Sequence, residues 1–182
     1  NNFKYQTLVL LFKYHILFMV LDETYNITKE YENMSYQHIL VPVDGSATSF
    51  AAIQHAASLA KAFDSQVTAI LVLVNDPFIN IEFIDTTHQL DTYLAQAKAH
   101  AETVLNDVKS KFNEYGVEAD VKIVEGQIVQ QEITQTAQDI NADLIVIGSH
   151  GRKGIKKLFL GSVAQNILTE SQVPVLVIKN KD

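Results

Sequence analysis

Glycines and cations crowd into one short stretch of an otherwise acidic chain. Gly148, Gly151, Gly154 and Gly161 are four of only seven glycines, and Arg152, Lys153, Lys156 and Lys157 lie among them, against a formal net charge of −7. Gly148 closes an apolar run, where a missing side chain lets backbone approach a ligand closely. Gly151 permits a tight or left-handed turn three residues on. Gly161-Ser162 opens a helical pattern, whose free N–H groups and positive dipole end favour an anion. Ser162 adds a hydroxyl at the same point. Polyphosphate is the ligand these parts suit. Each glycine alone reads as a turn, and the cationic run alone as a solvated loop. Their spacing, at a strand end and before a helix, is what points to phosphate.

The elements that must hold this stretch can be read from periodicity. Gln37–Val43 is a short apolar strand broken by the turn Asp44-Gly45-Ser46. Ala47–Phe63 carries Ala52, Ile53, Ala56, Leu59, Ala60 and Phe63 at helical spacing, with Ser46 placed to cap it. Gln66–Val74 is the second strand, followed by a loop to about Thr87. A long helix shows one apolar stripe through Leu90, Leu94, Ala97, Ala101, Val104, Leu105, Val108 and Phe112. Val117–Glu125 reads as the third strand, and Gln127–Ile140 as a helix burying Ile128, Ile133, Ala137 and Ile140. Asp143–Gly148 is a near-continuous β-branched run, as expected at the centre of a parallel sheet. Ser162–Thr169 is the fourth helix and Val173–Ile178 the last strand. Strands alternating with helices predict an α/β, Rossmann-like doubly wound domain with a five-stranded parallel sheet and four flanking helices. Ligands bind such sheets beyond the carboxyl ends of the strands, at a switch in strand order.

Composition narrows the classes. A 182-residue chain with 47% apolar residues fits one α/β domain. The acidic balance does not suit a nucleic-acid surface. With no cysteine, disulfides, thiol nucleophiles and cysteine-ligated metals are excluded. His38, His55, His88 and His100 show no metal-ligand spacing, so surface or capping roles are expected. Neither G-x4-G-K-[ST] nor a strand-following G-x-G-x-x-G occurs.

Residues 1–33 differ from the remainder: they hold four of the seven tyrosines and no Gly, Pro, Ala, Ser or Arg. The apolar stretch Thr7–Leu21 is too short for a membrane span, which needs about 20 residues, and it carries Lys13 and His15. No small-residue cleavage site precedes Ser35, so a secretory signal is not expected. The favoured reading is a translated leader ahead of a true start at Met34, since Lys29-Glu30 can be encoded by a ribosome-binding sequence just upstream. The alternative is an extra N-terminal helix with Leu8, Leu11, Phe12, His15, Phe18 and Met19 on one face. The domain proper is then 34–182. A cytoplasmic location and no membrane partner are expected.

Gly148-Ser149-His150-Gly151, nine residues, then Gly161-Ser162 resembles the G-x2-G-x9-G-[ST] signature of the ATP-binding universal stress proteins. The opening H-I-L-V-P-V-D-G-S and the closing P-V-L-V-I-K also resemble that family, and the resemblance covers nearly all of Met34–Asp182. It implies the strand order 3-2-1-4-5 and ATP as the bound nucleotide. By the same resemblance Asp44 lies near the ribose and, through Mg²⁺, the phosphates; a lone carboxylate beside a triphosphate is tolerable only on ribose hydroxyls or with a shared metal. Pro42 and Val43 border the nucleoside, and Val74 meets the adenine edge with its backbone. Gly148, Ser149, His150, Gly151, Arg152, Gly161, Ser162 and Val163 form the phosphate and ribose loop. His150 either touches phosphate or shapes the loop.

The function so implied is a nucleotide-dependent binding or regulatory module in a stress response. The alternative is a slow Mg-dependent ATPase or self-phosphorylating protein, for which no dedicated base is visible beyond Asp44 or His150. A structural dimer without ligand is a third reading, against which the retained glycines count. Pro174–Ile178 is an apolar last strand suited to a sheet edge, and the resemblance implies a homodimer formed through it.

Overall fold

The computed structural model describes residues 35–74, 87–151 and 160–179, with the side chains of 87–91 excepted. The elements are β1 (His38–Pro42), α1 (Ala47–Phe63), β2 (Gln66–Val74), α2 (Thr87–Glu114), β3 (Asp120–Gly126), α3 (Val129–Asp139), β4 (Leu144–Gly148), α4 (Ser162–Glu170) and β5 (Val175–Ile178). The five strands form one sheet in the order β3-β2-β1-β4-β5. Every neighbouring pair is parallel. The doubly wound architecture and its strand order are as expected.

Alternation along each strand splits the core in two. Ile39, Val41, Ala69, Leu71, Leu144 and Val146 face α1 and α2, whose Ile53, Ala56, Val108 and Phe112 are buried against them. Leu40, Ile70, Ile145 and Ile147 face the other way, onto Ile133 and Ala137 of α3 and Ala164 and Ile167 of α4. Burying the Val, Leu, Ile and Phe side chains among these contributes about 1.5–3 kcal/mol each. The helices that follow β1 and β2 thus cover one face, and those that follow β3 and β4 cover the other. β1 and β4 diverge at the switch, which leaves a crevice beyond their carboxyl ends.

Several element edges differ from the sequence reading. Val117 and Ala119 are buried but precede β3, because the Val117 N–H closes the end of α2 on the Phe112 carbonyl at 3.0 Å. Asp143 leaves β4 to accept from the N–H groups of Gln37 at 2.7 Å and His38 at 3.1 Å. Ile128 is 41% exposed, since it stands at the cap of α3, outside the packed face. The stripe of α2 is buried only from Ala101 onward; Leu94 is exposed and Ala97 half-buried. Leu59 is half-buried, and Phe63 packs edge-on against Tyr36 with centroids 5.5 Å apart. The expectations for Leu90, for residues 1–33 and for the cationic run after Gly151 lie outside the described residues.

Of the surface or capping roles expected of His38, the structure shows a capping one, on the carbonyl at the end of α3. Its Nδ1 donates to the Ile140 carbonyl at 3.0 Å, and its Nε2 meets the Thr68 hydroxyl at 2.8 Å. A carbonyl only accepts, which places the ring proton on Nδ1 in the neutral form. The ring therefore ties β1 to β2 and to the α3–β4 connection, at the end of the sheet opposite the crevice.

Candidate functional site

The crevice is built from the two segments that leave β1 and β4. After β1, Asp44 turns the chain by accepting the Ser46 N–H on Oδ1 at 3.0 Å, with Gly45 in the left-handed region at φ +80°. Ser46 then caps α1, its hydroxyl accepting the Ser49 N–H at 3.3 Å. After β4, the buried Ser149 donates its N–H to the Ile178 carbonyl at 2.7 Å and accepts from the Gly161 N–H at 2.8 Å. Strand exit, edge strand and helix start are thereby joined at one residue.

Gly148 and Gly151 both serve this frame. A Cβ on Gly148 would lie 2.8 Å from the Thr48 carbonyl carbon and 3.0 Å from the Ser49 nitrogen, so the absent side chain admits the first turn of α1. Gly151 does not adopt a left-handed turn; a Cβ there would stand 2.6 Å from Asp44 Oδ2, so the glycine makes room for the carboxylate. Both differ from the reasons the sequence suggested. Sequence could not separate a backbone near a ligand from a backbone near a helix, because either demands glycine.

Once the loop carbonyls are tied, the N–H groups are directed. The Thr48 hydroxyl donates to the His150 carbonyl, and the Ser149 carbonyl is taken by Gly161. In a trans peptide the carbonyl and the following N–H point in opposite senses. The N–H groups of His150 and Gly151 therefore face away from those partners, and among the described residues none accepts from either. Both N–H groups are thus left able to donate to an anion.

The start of α4 adds to them. Gly161 occupies the cap with no side chain to close it, and the first turn holds no acidic residue. Helix geometry leaves the N–H groups of Ser162, Val163 and Ala164 without intrahelical acceptors, and the dipole adds partial positive charge. Ser46 closes α1 in the usual way, whereas α4 is open. The His150 ring lies against this loop, with Nδ1 3.0 Å from the Ser149 hydroxyl and Nε2 buried with no partner among the described residues.

Across the sheet, Pro42 and Val43 are buried at the end of β1, with the Val43 N–H donating to the Ile70 carbonyl at 2.8 Å. Val74, at the end of β2 in register with Gly126, is 41% exposed and so is no core valine. From β4 to β2 is two strand spacings, roughly 9–10 Å, a span that one nucleotide bridges from phosphate to base. The fold thus brings Asp44 against Gly151 and sets Gly148, Ser149, His150, Gly161, Ser162 and Val163 around one loop, with Val74 two strands away. Arg152 lies outside the described residues. Thr48 and the Ala164 N–H were missed: the Thr48 contact joins residues 102 apart in sequence, and only a hydroxyl in the first turn of α1 hinted at it. Among the described residues no group of three His, Cys, Asp or Glu side chains could hold a metal by itself, and no helix is long and apolar enough to cross a membrane.

The model of the universal stress protein family matches residues 35–179. A relative, universal stress protein MJ0531 of Methanocaldococcus jannaschii, is 34% identical over 172 residues, covering 94% of each chain. That aligned length exceeds the 149 residues from Met34 to Asp182, so the similarity is not confined to the stretch from Met34 onward. The solved structure of MJ0577 from the same organism superposes with a TM-score of 0.67 at 30% identity, covering 82% of this chain and 99% of that one. Universal stress protein UspA from Lactobacillus plantarum superposes with a TM-score of 0.69 at 25% identity, covering 79% and 98%. More distant structures share the fold and were solved as complexes: one from Archaeoglobus fulgidus with dAMP at 23% identity and TM-score 0.60, covering 80% and 100%, and one from Arabidopsis thaliana with AMP at 18% and 0.57, covering 80% and 92%. Fold, sequence and family model agree, and the chain belongs to the universal stress protein family.

Proposed function

We propose that this protein binds an adenine nucleotide, ATP by the resemblance of its loop, and acts as a nucleotide-dependent binding or regulatory module. The observation that carries the reading is the uncapped start of α4 beside the His150 and Gly151 N–H groups, from which no described residue accepts, at the switch between β1 and β4. Phosphates sit on these donors, the ribose passes Asp44 and Val43, and the base reaches the exposed end of β2 at Val74. Relatives of the same fold solved with AMP and dAMP support adenine as the base.

Asp44 fits a metal that arrives with the nucleotide. One carboxylate beside Gly151 supplies a single hard oxygen ligand, and Mg²⁺ characteristically takes few protein ligands and completes its shell with phosphate and water. When bound, the ion neutralises phosphate charge that Asp44 would otherwise repel. Asp44 itself holds the turn into α1 through the Ser46 N–H, so its position is fixed before any ligand arrives.

Freshly purified protein, heat-denatured and analysed by chromatography, is expected to release an adenine nucleotide. A site that releases none and also ignores added ATP would defeat the reading. Steady phosphate release from Mg-ATP above buffer, lost in Asp44→Ala, would favour the slow hydrolase instead.

A further inference from the structure

Thr48 is the second residue of α1, and its side chain does something unusual for that place. A threonine hydroxyl in a helix commonly bonds back to a carbonyl one turn earlier. Here it leaves the helix and reaches the His150 carbonyl on the far segment of the crevice. Its oxygen also lies 3.1 Å from the Ser46 hydroxyl. The direction of these bonds is determined, because the His150 carbonyl only accepts and consumes the single Thr48 proton. Ser46 must then donate to Thr48, while its own oxygen accepts the Ser49 N–H. The result is a one-way chain: Ser49 N–H to Ser46 Oγ, Ser46 O–H to Thr48 Oγ1, Thr48 O–H to the His150 carbonyl.

Such chains polarise from bond to bond. This one ends on the peptide whose other side is the Gly151 N–H. Holding that carbonyl toward α1 sets the N–H on the opposite side, away from α1. Drawing electron density to the carbonyl oxygen makes the same N–H a better donor to an anion. The neighbouring peptide is tied through Gly161 on the Ser149 carbonyl and shares His150 with this one, so loss of the Thr48 bond also loosens the bonds of the Ser149 and Gly161 amides.

We propose that Thr48 is a positioning residue for phosphate: its hydroxyl sets the 150–151 peptide so that the loop is ready for anion before ligand arrives, without Thr48 touching the ligand. The proposal rests on the phosphate-binding reading above and gives it a regulator at the cap of α1. Removal of the hydroxyl at constant shape frees the peptide to rotate and leaves the Gly151 N–H undirected.

The test compares Thr48→Val with Thr48→Ser, and with Thr48→Ala as a second deletion. ATP and adenosine affinities are measured by calorimetry, and amide hydrogen exchange is followed in nucleotide-free protein. Thr48→Val and Thr48→Ala should weaken ATP roughly tenfold, the scale of one lost hydrogen bond, and leave adenosine unchanged. They should also speed exchange of the Ser149 and Gly161 amides; Thr48→Ser should restore both. Equal losses for ATP and adenosine, or ATP affinity and exchange both at the wild-type level in Thr48→Val, would overturn the proposal. Wild-type protein that binds no ATP would remove the phosphate reading itself and with it the role in binding, whatever the exchange rates show.

Discussion

Asp44 carries two constraints that pull on one side chain. Oδ1 holds the Ser46 N–H and so fixes the turn, while Oδ2 stands over Gly151 at the edge of the donor loop. A carboxylate there repels bare phosphate and binds a phosphate-borne cation. Asp44→Ala should therefore weaken Mg-ATP at least roughly tenfold, on the scale of a lost charged partner. With the metal chelated, the same substitution should leave ATP binding unchanged or improved. Calorimetry with and without Mg²⁺ reads both signs, and equal losses in the two conditions would contradict the metal role. Sequence singled out Asp44, Gly148 and Gly151 but could not show the packing that requires glycine at two of them. Glycine reports that space is needed, not what fills it; only packing shows that a helix turn fills one space and a carboxylate the other.

Two helices begin beside the crevice, and their ends differ. α1 is closed by Ser46, and α4 opens behind Gly161 with no side-chain cap. That asymmetry leaves one more open helix-end donor at α4 than at α1, where Ser46 takes the Ser49 N–H. A carboxylate built into the first turn of α4 should satisfy the helix at the ligand's expense. Ser162→Glu should hold or raise the thermal midpoint, since a first-turn acid contributes about 0.3–1 kcal/mol, and should weaken ATP by tenfold or more. A variant that binds ATP as well as wild type would remove α4 from the site. At this scale the sequence was most informative where apolar runs and caps coincide, as at α1, whose bounds and cap were both read correctly. It was least informative where apolar periodicity continues without burial. Leu94 and Ile128 keep the apolar pattern yet are exposed, and periodicity alone holds no record of which part of a stripe is covered.

For the whole molecule, the doubly wound order was legible because it follows from alternating elements and from a family resemblance that spans the domain. The coupling across the crevice was not, since it depends on contacts such as Thr48 to His150 that no local pattern encodes. The sheet has β5 at one edge, with Leu176 on that strand and Leu168 on α4 exposed. An apolar edge of this kind favours pairing, and we propose that two copies associate through it. Sedimentation at micromolar concentration should give a dimer, and Leu176→Lys a monomer; a monomeric wild type would refute the assembly. Ser149 bonds both Ile178 of β5 and Gly161 of the donor loop, which places the proposed interface one hydrogen bond from the proposed phosphate site. The central claim is more direct than any of these. Titration of nucleotide-stripped protein with Mg-ATP in a calorimeter should give one saturable site per chain, with adenosine binding more weakly for want of phosphates. Absence of saturable binding, with equilibrium dialysis agreeing, would contradict the account.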